Sequence, residues 1–148
     1  MLESGRKSRV RFFYPYKAHY IKGSGMMKKF IEQIFNEEGK KLENLNFIFC
    51  SDRELLAINK KYLNHNYHTD IVTFDLSEKK GVVQGESYIS IDRVRVNAIR
   101  LDIPFRKELL RVIFHGALHL CGYNDKTKKD ILTMRKKEDY YLYHYLNH

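Results

Sequence analysis

The order of strand-like and helix-like segments is the feature of this chain that most constrains its fold. β-Branched, aromatic or alternately apolar runs predict strands at 9–15, 42–50, 70–76 and 86–91. Apolar residues at helical spacing predict helices at 26–40, 53–63, 92–101, 104–121 and 127–146. A loop with two glycines, 78–85, is expected to link the last two strands. This order predicts an α+β fold, a single-domain sandwich with a four-stranded mixed sheet and about five helices.

Length and composition exclude several classes of protein. The 148 residues fit one domain, taken as 1–148. No apolar run reaches the roughly 20 residues that cross a bilayer, and the first residues lack the apolar core of a signal peptide. We therefore expect a cytoplasmic monomer with no membrane partner. In a reducing compartment, Cys50 and Cys121 are expected to be thiols rather than a disulfide.

The charge balance points to a polyanionic partner. The chain carries 27 Lys and Arg against 18 Asp and Glu, a formal net charge of +9. Such an excess favours nucleic acid as a partner, and a solvated basic surface is the alternative. Three lysines, Lys126, Lys128 and Lys129, follow the most unusual segment of the chain and are candidates to contact RNA phosphates.

That segment is "FHGALHLCGYND", residues 114–125. On a helix, His115 and His119 lie on one face with Cβ atoms about 5–6 Å apart, so both imidazoles can bind one metal ion. The alternative is a pair of histidines that are hydrogen-bonded in the core. Gly116 stands where H-E-x-x-H peptidases have their glutamate, which argues against a peptidase of that kind.

A third metal ligand is expected just beyond the helix. Gly122 can end the helix in a left-handed turn, which returns the following residues toward its last turn. Asp125 is then well placed, and carboxylate is an acceptable zinc ligand. Cys121 is a rival, but its side chain diverges from that of His119 by about 200° on a helix. Glu108 lies about 10 Å along the helix axis from His115, so we assign it at most an outer contact.

At these residues the sequence resembles a known family. "HGALHLCGYND" is similar to the H-G-x-L-H-L-x-G-Y-D-H signature of the YbeY-type rRNA maturation factors, which are metal-dependent bacterial endoribonucleases. The residues that coincide in register are His115, Gly116, Leu118, His119, Leu120, Gly122 and Tyr123. The segments 58–74 and 85–98 are similar to other family segments in the same order. The resemblance covers about residues 45 to 140.

The resemblance implies a zinc ion held by three histidines and an activity on single-stranded RNA. Carried over, the metal ligands are His115, His119 and, in place of the third histidine, Asp125. The first two would act in catalysis through the bound metal. The carboxylate changes the charge and hardness of the site, so we expect one divalent ion, Zn²⁺ first, with Mn²⁺ or Fe²⁺ as alternatives. The implied role is small-subunit rRNA 3′-end maturation and ribosome quality control, with the ribosome or its small subunit as partner.

Three features of the implied site are left open by the sequence. A family arginine, a candidate for holding RNA phosphate, falls on Leu63, and Lys60, Lys61, His65 or His68 are its possible substitutes. Glu86 and His68 are weak candidates for a general base. The nucleophile is either metal-activated water or the 2′-hydroxyl of the RNA.

A second functional class is a ribosome assembly factor with a structural metal and little nuclease activity. An open site with three ligands favours the enzyme. A closed site with four ligands, including Cys121 or a further histidine, favours the assembly factor.

Overall fold

The computed structural model describes residues 7–14 and 21–147, and these form one α+β unit. The four strands are β1 (Val10–Phe13), β2 (Lys41–Cys50), β3 (Ile71–Asp75) and β4 (Val82–Ser90). The five helices are α1 (Ser24–Glu37), α2 (Asp52–Leu63), α3 (Ile91–Leu101), α4 (Phe105–Leu120) and α5 (Lys128–Leu146). The element types and their order confirm the architecture predicted from the sequence.

The strands form one mixed sheet in the order β1-β2-β4-β3. β1 pairs parallel with β2, β2 pairs parallel with β4, and β3 pairs antiparallel with β4. The antiparallel pair places the start of β3 beside the end of β4, because Ile71 lies opposite Ile89. The residues just before β3 therefore lie where α3 begins.

Successive side chains of β4 point to opposite faces of the sheet, as the pleat of a strand requires. Val83, Gly85, Ser87 and Ile89 are buried on the face covered by α1 and α4. Tyr88 packs on the other face, in a smaller cluster with Leu55 of α2. The two faces thus separate the residues of this strand into two different environments.

Helix α4 is the centre of the larger core. Its buried side chains meet the sheet, and α1, α3 and α5 pack around it. Gly116 lies close against the sheet, since a Cβ atom there would lie 2.8 Å from Ser87 Oγ and 2.9 Å from Ile71 Cδ1. The missing side chain lets α4 lie directly on β3 and β4. His115, the preceding residue, is thereby carried to the start of β3.

Segment boundaries differ from the sequence prediction in several places. Residues 82–85, predicted as loop, are the beginning of β4. Gly85, the last residue of the predicted loop, is instead buried in the sheet, and Leu120 of α4 packs where its side chain would be, 2.5 Å from an added Cβ. Helix α1 ends at Glu37, before the predicted residue 40, and Gly39 follows in a left-handed conformation (φ 74°). Pro15, predicted to stop β1, lies outside the described residues.

Two expectations from composition are met within the described part of the chain. None of its helices combines the length and the apolar character that crossing a membrane demands. Cys50 and Cys121 are both buried free thiols, in accordance with the prediction that they do not pair.

Candidate functional site

An open cleft of about 450 Å³ lies where α3, α4 and α5 meet the start of β3. Its walls are mostly polar and carry both signs of charge. The charged and amide side chains that line it are Asp70, Asn97, Arg100, Glu108, Arg111, His115, Asp125, Arg135 and Glu138. Because these residues come from five separate parts of the sequence, the cleft is a product of the tertiary fold.

His115 stands between two carboxylates. Its Nδ1 forms a 2.7 Å hydrogen bond with Oε2 of Glu138, a residue of α5 that is only 3% exposed. Its Nε2 lies 3.2 Å from Oδ2 of Asp125, in the loop between α4 and α5. Burial lowers the pKa of His115, but the hydrogen bond and charge of Glu138, with Asp125 and Asp70 nearby, raise it above its ordinary value overall.

The contact with Glu138 fixes the chemical form that neutral His115 adopts. A carboxylate accepts hydrogen bonds, so the ring proton is assigned to Nδ1 and the lone pair to Nε2. Metal-binding histidines commonly donate their second ring N–H to a carboxylate in this way. Glu138 therefore leaves the lone pair of Nε2 on the side of Asp125, where it could accept a cation.

Arg111 holds the two buried carboxylates of the cleft. Its Nη1 lies 3.3 Å from Oε1 of Glu138, and its Nε lies 3.4 Å from Oε1 of Glu108. Burial raises the pKa of Glu108, and the positive charge of Arg111 opposes that shift. The sequence suggested Glu108 as an outer contact of His115, whereas the structure pairs Glu108 with Arg111 and gives the contact with His115 to Glu138.

Sequence reasoning missed Glu138, although a signal for it is present. Helix α5 buries a stripe formed by Met134, Glu138, Tyr141 and Tyr145. A single carboxylate within such an apolar stripe requires a buried partner. The partner here is His115 together with Arg111, and it is reached only through the packing of α4 against α5.

The proposed metal ligands are brought together only in part. His115 and Asp125 are paired, while His119 lies half-buried one turn further along α4 and does not line the cleft. Within residues 7–14 and 21–147, no three His, Cys, Asp or Glu side chains are placed to hold a metal ion. The structure therefore presents two of the three donors in contact and the third nearby on the same helix.

The contact between His115 and Asp125 has the dimensions of one edge of a zinc site. With bonds of about 2.0–2.1 Å, two ligands of a tetrahedral zinc lie about 3.3 Å apart. The observed separation of Nε2 and Oδ2 is 3.2 Å. A nitrogen donor, a carboxylate donor and a carboxylate behind the histidine thus fit a divalent ion. Cys121 does not fit as a further ligand, because its side chain is buried and does not line the cleft.

Asp70 is a further cleft residue that sequence reasoning did not select. It immediately precedes β3, its carbonyl accepts a 2.9 Å hydrogen bond from the backbone N–H of Ser90, and Nδ2 of Asn97 lies 3.4 Å from its Oδ2. Burial raises the pKa of Asp70 above its ordinary value. A carboxylate with a raised pKa in a cleft is a candidate for proton transfer.

Glu86 lies apart from this cleft. It belongs to the side of β4 that also carries Tyr88, whose hydroxyl donates a 3.0 Å hydrogen bond to Oε1 of Glu86. The cleft is on the opposite face, where Ser87 meets α4. The structure therefore does not bring Glu86 to His115, and it offers Asp70 in its place.

The lysines selected from the sequence are all exposed, and none of them lines the cleft. Lys60 and Lys61 are in the last turn of α2, while Lys126, Lys128 and Lys129 follow Asp125 at the beginning of α5. Leu63, which replaces the family arginine, is 40% exposed at the end of α2. The cations that do line the cleft are Arg100, Arg111 and Arg135.

Comparison with known proteins gives consistent matches over most of the chain. The family model described as Endoribonuclease YbeY matches residues 17–146. Proteins named Endoribonuclease YbeY from Karelsulcia muelleri and Cytophaga hutchinsonii are each 43% identical over 134 residues, which is 90% of this chain and 94% of theirs. The one from Flavobacterium psychrophilum is 48% identical over 109 residues, 74% of this chain and 77% of its own. A solution structure of a Thermotoga maritima protein is similar with a TM-score of 0.59 and 30% identity, covering 90% of this chain and 86% of that one.

Proposed function

The chain belongs to the YbeY endoribonuclease family, and on that premise we propose that it cleaves single-stranded RNA in the cleft around His115. The observation that carries this proposal is the orientation of His115. Buried Glu138 holds its Nδ1, and its Nε2 faces Asp125 in an open, arginine-lined cleft. We further propose that its substrate is small-subunit rRNA, matured at the 3′ end, that it serves ribosome quality control, and that it works as a cytoplasmic monomer on the small subunit.

One divalent metal ion, with Zn²⁺ as first choice and Mn²⁺ or Fe²⁺ as alternatives, belongs to this proposal. His115 and Asp125 would hold it, with His119 as the third ligand from the next turn of the same helix face. When bound, such an ion polarises a phosphoryl oxygen and makes a nearby hydroxyl or water more acidic. Asp125 is about half exposed, so the pair opens toward solvent and leaves room for substrate.

The arginines of the cleft fall into two groups, one paired with protein carboxylates and one exposed to the cleft. Arg111 is engaged with Glu108 and Glu138, so its task is to hold the carboxylate behind His115. Arg100 and Arg135 are exposed and line the cleft, where guanidinium groups suit phosphate oxygens. The exposed lysines Lys60, Lys61, Lys126, Lys128 and Lys129 would contact phosphates further along the strand.

Proton transfer is assigned to Asp70. Burial raises its pKa, so this carboxyl group holds and exchanges a proton more readily than an exposed aspartate does. It lies in the same cleft as His115, on a strand end held by the backbone of Ser90. In its ionised form Asp70 would take a proton from the attacking hydroxyl, and in its protonated form it would give one to the leaving oxygen.

The proposal is tested with a single-stranded RNA carrying the 3′ end of small-subunit rRNA, compared with a duplex of the same sequence. We expect cleavage of the single strand, its loss on chelation, and its return on adding Zn²⁺ or Mn²⁺. His115→Ala should lower the rate by about 10²–10⁴-fold because it removes a ligand and its oriented lone pair. Cleavage that survives both the chelator and His115→Ala would refute the metal-dependent mechanism. Absence of cleavage in the parent would favour an assembly factor.

A further inference from the structure

Two aromatic rings are stacked on the surface of the loop between α2 and β3. The rings of His65 and Tyr67 have centroids 5.0 Å apart and planes inclined by 20°. The hydroxyl of Tyr67 lies 2.9 Å from Nδ1 of His65, which fixes the two rings to each other. Tyr67 is 57% exposed and His65 is exposed as well. This ring pair, His65 and Tyr67, therefore presents an aromatic surface to solvent.

Asn59 of α2 anchors the loop that carries the ring pair. Asn59 of α2 is only 1% exposed, and its Nδ2 donates a 3.0 Å hydrogen bond to the carbonyl of Tyr67. The carbonyl of Asn59 accepts a 3.1 Å hydrogen bond from the backbone N–H of His65. A single buried residue thus holds the backbone on both sides of the pair. Rings held in this way lose little conformational freedom when a ligand binds.

A second anchor connects the loop to the cleft. Nδ1 of His68 lies 3.1 Å from Oδ2 of Asp52, and Arg93 of α3 holds the same carboxylate oxygen at 2.7 Å. The chain then passes directly into Thr69 and Asp70, which line the cleft. Since an extended chain covers at most about 3.6 Å per residue, Tyr67 lies within about 11 Å of Asp70.

The surroundings of the ring pair carry positive charge. Lys60 and Lys61 occupy the last turn of α2, immediately before the loop, and both are exposed. Nζ of Lys61 stands 5.2 Å from the centroid of the Tyr62 ring, which is itself 61% exposed. Exposed rings interleaved with lysines are the combination by which proteins bind unpaired nucleotides, since bases stack on the rings while cations meet the phosphates.

We propose that the ring pair of His65 and Tyr67 stacks on an unpaired base of the RNA strand whose phosphodiester occupies the cleft. This inference rests on the proposed function and adds to it a site that positions the strand. A base within a duplex has both faces covered by its neighbours, so the ring pair selects single strands. It also sets how far from the stacked base the strand is cut.

The test measures binding of a fluorescently labelled single-stranded 2′-O-methyl oligonucleotide by anisotropy, with its integrity checked on a gel. Tyr67→Leu should weaken binding by about 5- to 150-fold, the range seen when a base loses an aromatic stacking partner. Tyr67→Phe keeps the ring and should bind nearly as tightly as the parent. Tyr143→Leu removes a tyrosine that is 65% exposed on α5, and it serves as the matched control with unchanged binding.

An abasic oligonucleotide separates stacking from phosphate contacts. If the ring pair binds a base, the parent and Tyr67→Leu should bind the abasic strand with equal affinity. Tyr67→Leu that matches the parent on the ordinary strand would overturn the inference and leave the proposed function standing. If the parent itself neither binds nor cleaves RNA, the inference and the proposed function are both refuted. If Tyr67→Leu binds and cleaves free RNA normally but no longer associates with ribosomal subunits, the surface is a protein contact and the inference is overturned.

Discussion

At the scale of single residues, the site depends on Glu138, a carboxylate that is almost fully buried. Glu138 contacts Nδ1 of His115 at 2.7 Å and is held in turn by Arg111. Its neighbour Asp139 is 68% exposed and lies 3.6 Å from the same guanidinium group. Both acids therefore lie near Arg111, but only Glu138 contacts the imidazole of His115.

We expect Glu138→Gln to weaken metal binding by about 10- to 100-fold, as loss of a carboxylate behind a metal-bound histidine usually does. The amide keeps the size of the side chain but no longer reinforces the basicity of Nε2. Asp139→Asn is the matched control and should bind metal as the parent does. Competition with a chromophoric chelator measures the dissociation constants. Equal affinity in both variants would mean that Glu138 serves packing alone.

Asp70→Asn is expected to stabilise the metal-free protein at neutral pH while lowering its activity. Burial raises the pKa of Asp70, so its ionised form destabilises the folded state. The parent therefore loses stability as pH rises through the ordinary pKa of 3.8 toward the raised folded pKa, and the asparagine variant does not. The stability difference should grow across that window and then stay constant. Urea unfolding at several pH values measures it, with exposed Asp75→Asn as control; a difference independent of pH would contradict the assignment.

At the scale of elements, the loop that carries Asp125 is attached to the end of α1. Oε1 of Glu38 accepts a 2.7 Å hydrogen bond from the hydroxyl of Tyr123, two residues before Asp125. Its Oε2 accepts a short hydrogen bond from the hydroxyl of Tyr141 and lies 3.0 Å from Nζ of Lys137. One carboxylate thus joins α1, the loop after α4, and α5.

Glu38→Gln should lower the free energy of unfolding at pH 7 by about 1–3 kcal/mol, because it removes a charged acceptor shared by three donors. Burial raises the pKa of Glu38, but hydrogen bonds from Tyr141, Tyr123 and Lys137 bring it below the ordinary value of 4.5. Its stabilising contribution is therefore present above pH 4.5 and lost as pH falls through the folded pKa.

The variant should consequently show a flatter acid-unfolding profile than the parent. Glu37→Gln is the matched control, since the neighbouring carboxylate is exposed and accepts one hydrogen bond from exposed Tyr140. Parallel profiles for parent and Glu38→Gln would show that this carboxylate does not couple the three elements.

The elements themselves were predictable because their signals are local. Alternation in 42–50 and helical spacing in 104–121 follow from neighbours in the sequence, and β2 and α4 lie there. The prediction of a loop at Gly85 was wrong because the reason for a glycine there is not local. Leu120, 35 positions away, packs where its side chain would be. For the same reason His115 and Asp125 could be paired from the turn at Gly122, whereas Glu138 and Asp70 reach the cleft only through tertiary packing.

At the scale of the whole molecule, the formal charge of +9 requires RNA binding to depend on salt. Each phosphate that a cation neutralises releases counterions, and for single strands each contributes about −0.7 to the slope of log K against log salt concentration. The two exposed arginines that line the cleft, Arg100 and Arg135, belong to α3 and α5, so an extended strand can meet both at once.

We expect Lys128→Ala to make that slope shallower by about 0.7 and to weaken binding of all single-stranded sequences alike, since a phosphate contact reads no base. Lys80→Ala, in the exposed turn between β3 and β4, is the control of equal charge change and should leave the slope as it is. Titrations at four salt concentrations provide the comparison. An identical slope for Lys128→Ala and the parent would remove this lysine from the RNA path.

The contact beneath Gly116 has a consequence for how such a sequence can change over generations. An alanine there would place its methyl group 2.8 Å from Ser87 Oγ and 2.9 Å from Ile71 Cδ1, although no ligand of the site is altered. The same alanine would be tolerated better in a chain that had already lost the serine hydroxyl and shortened the isoleucine. Substitutions at these three positions are therefore epistatic, and their order of arrival decides which are accepted.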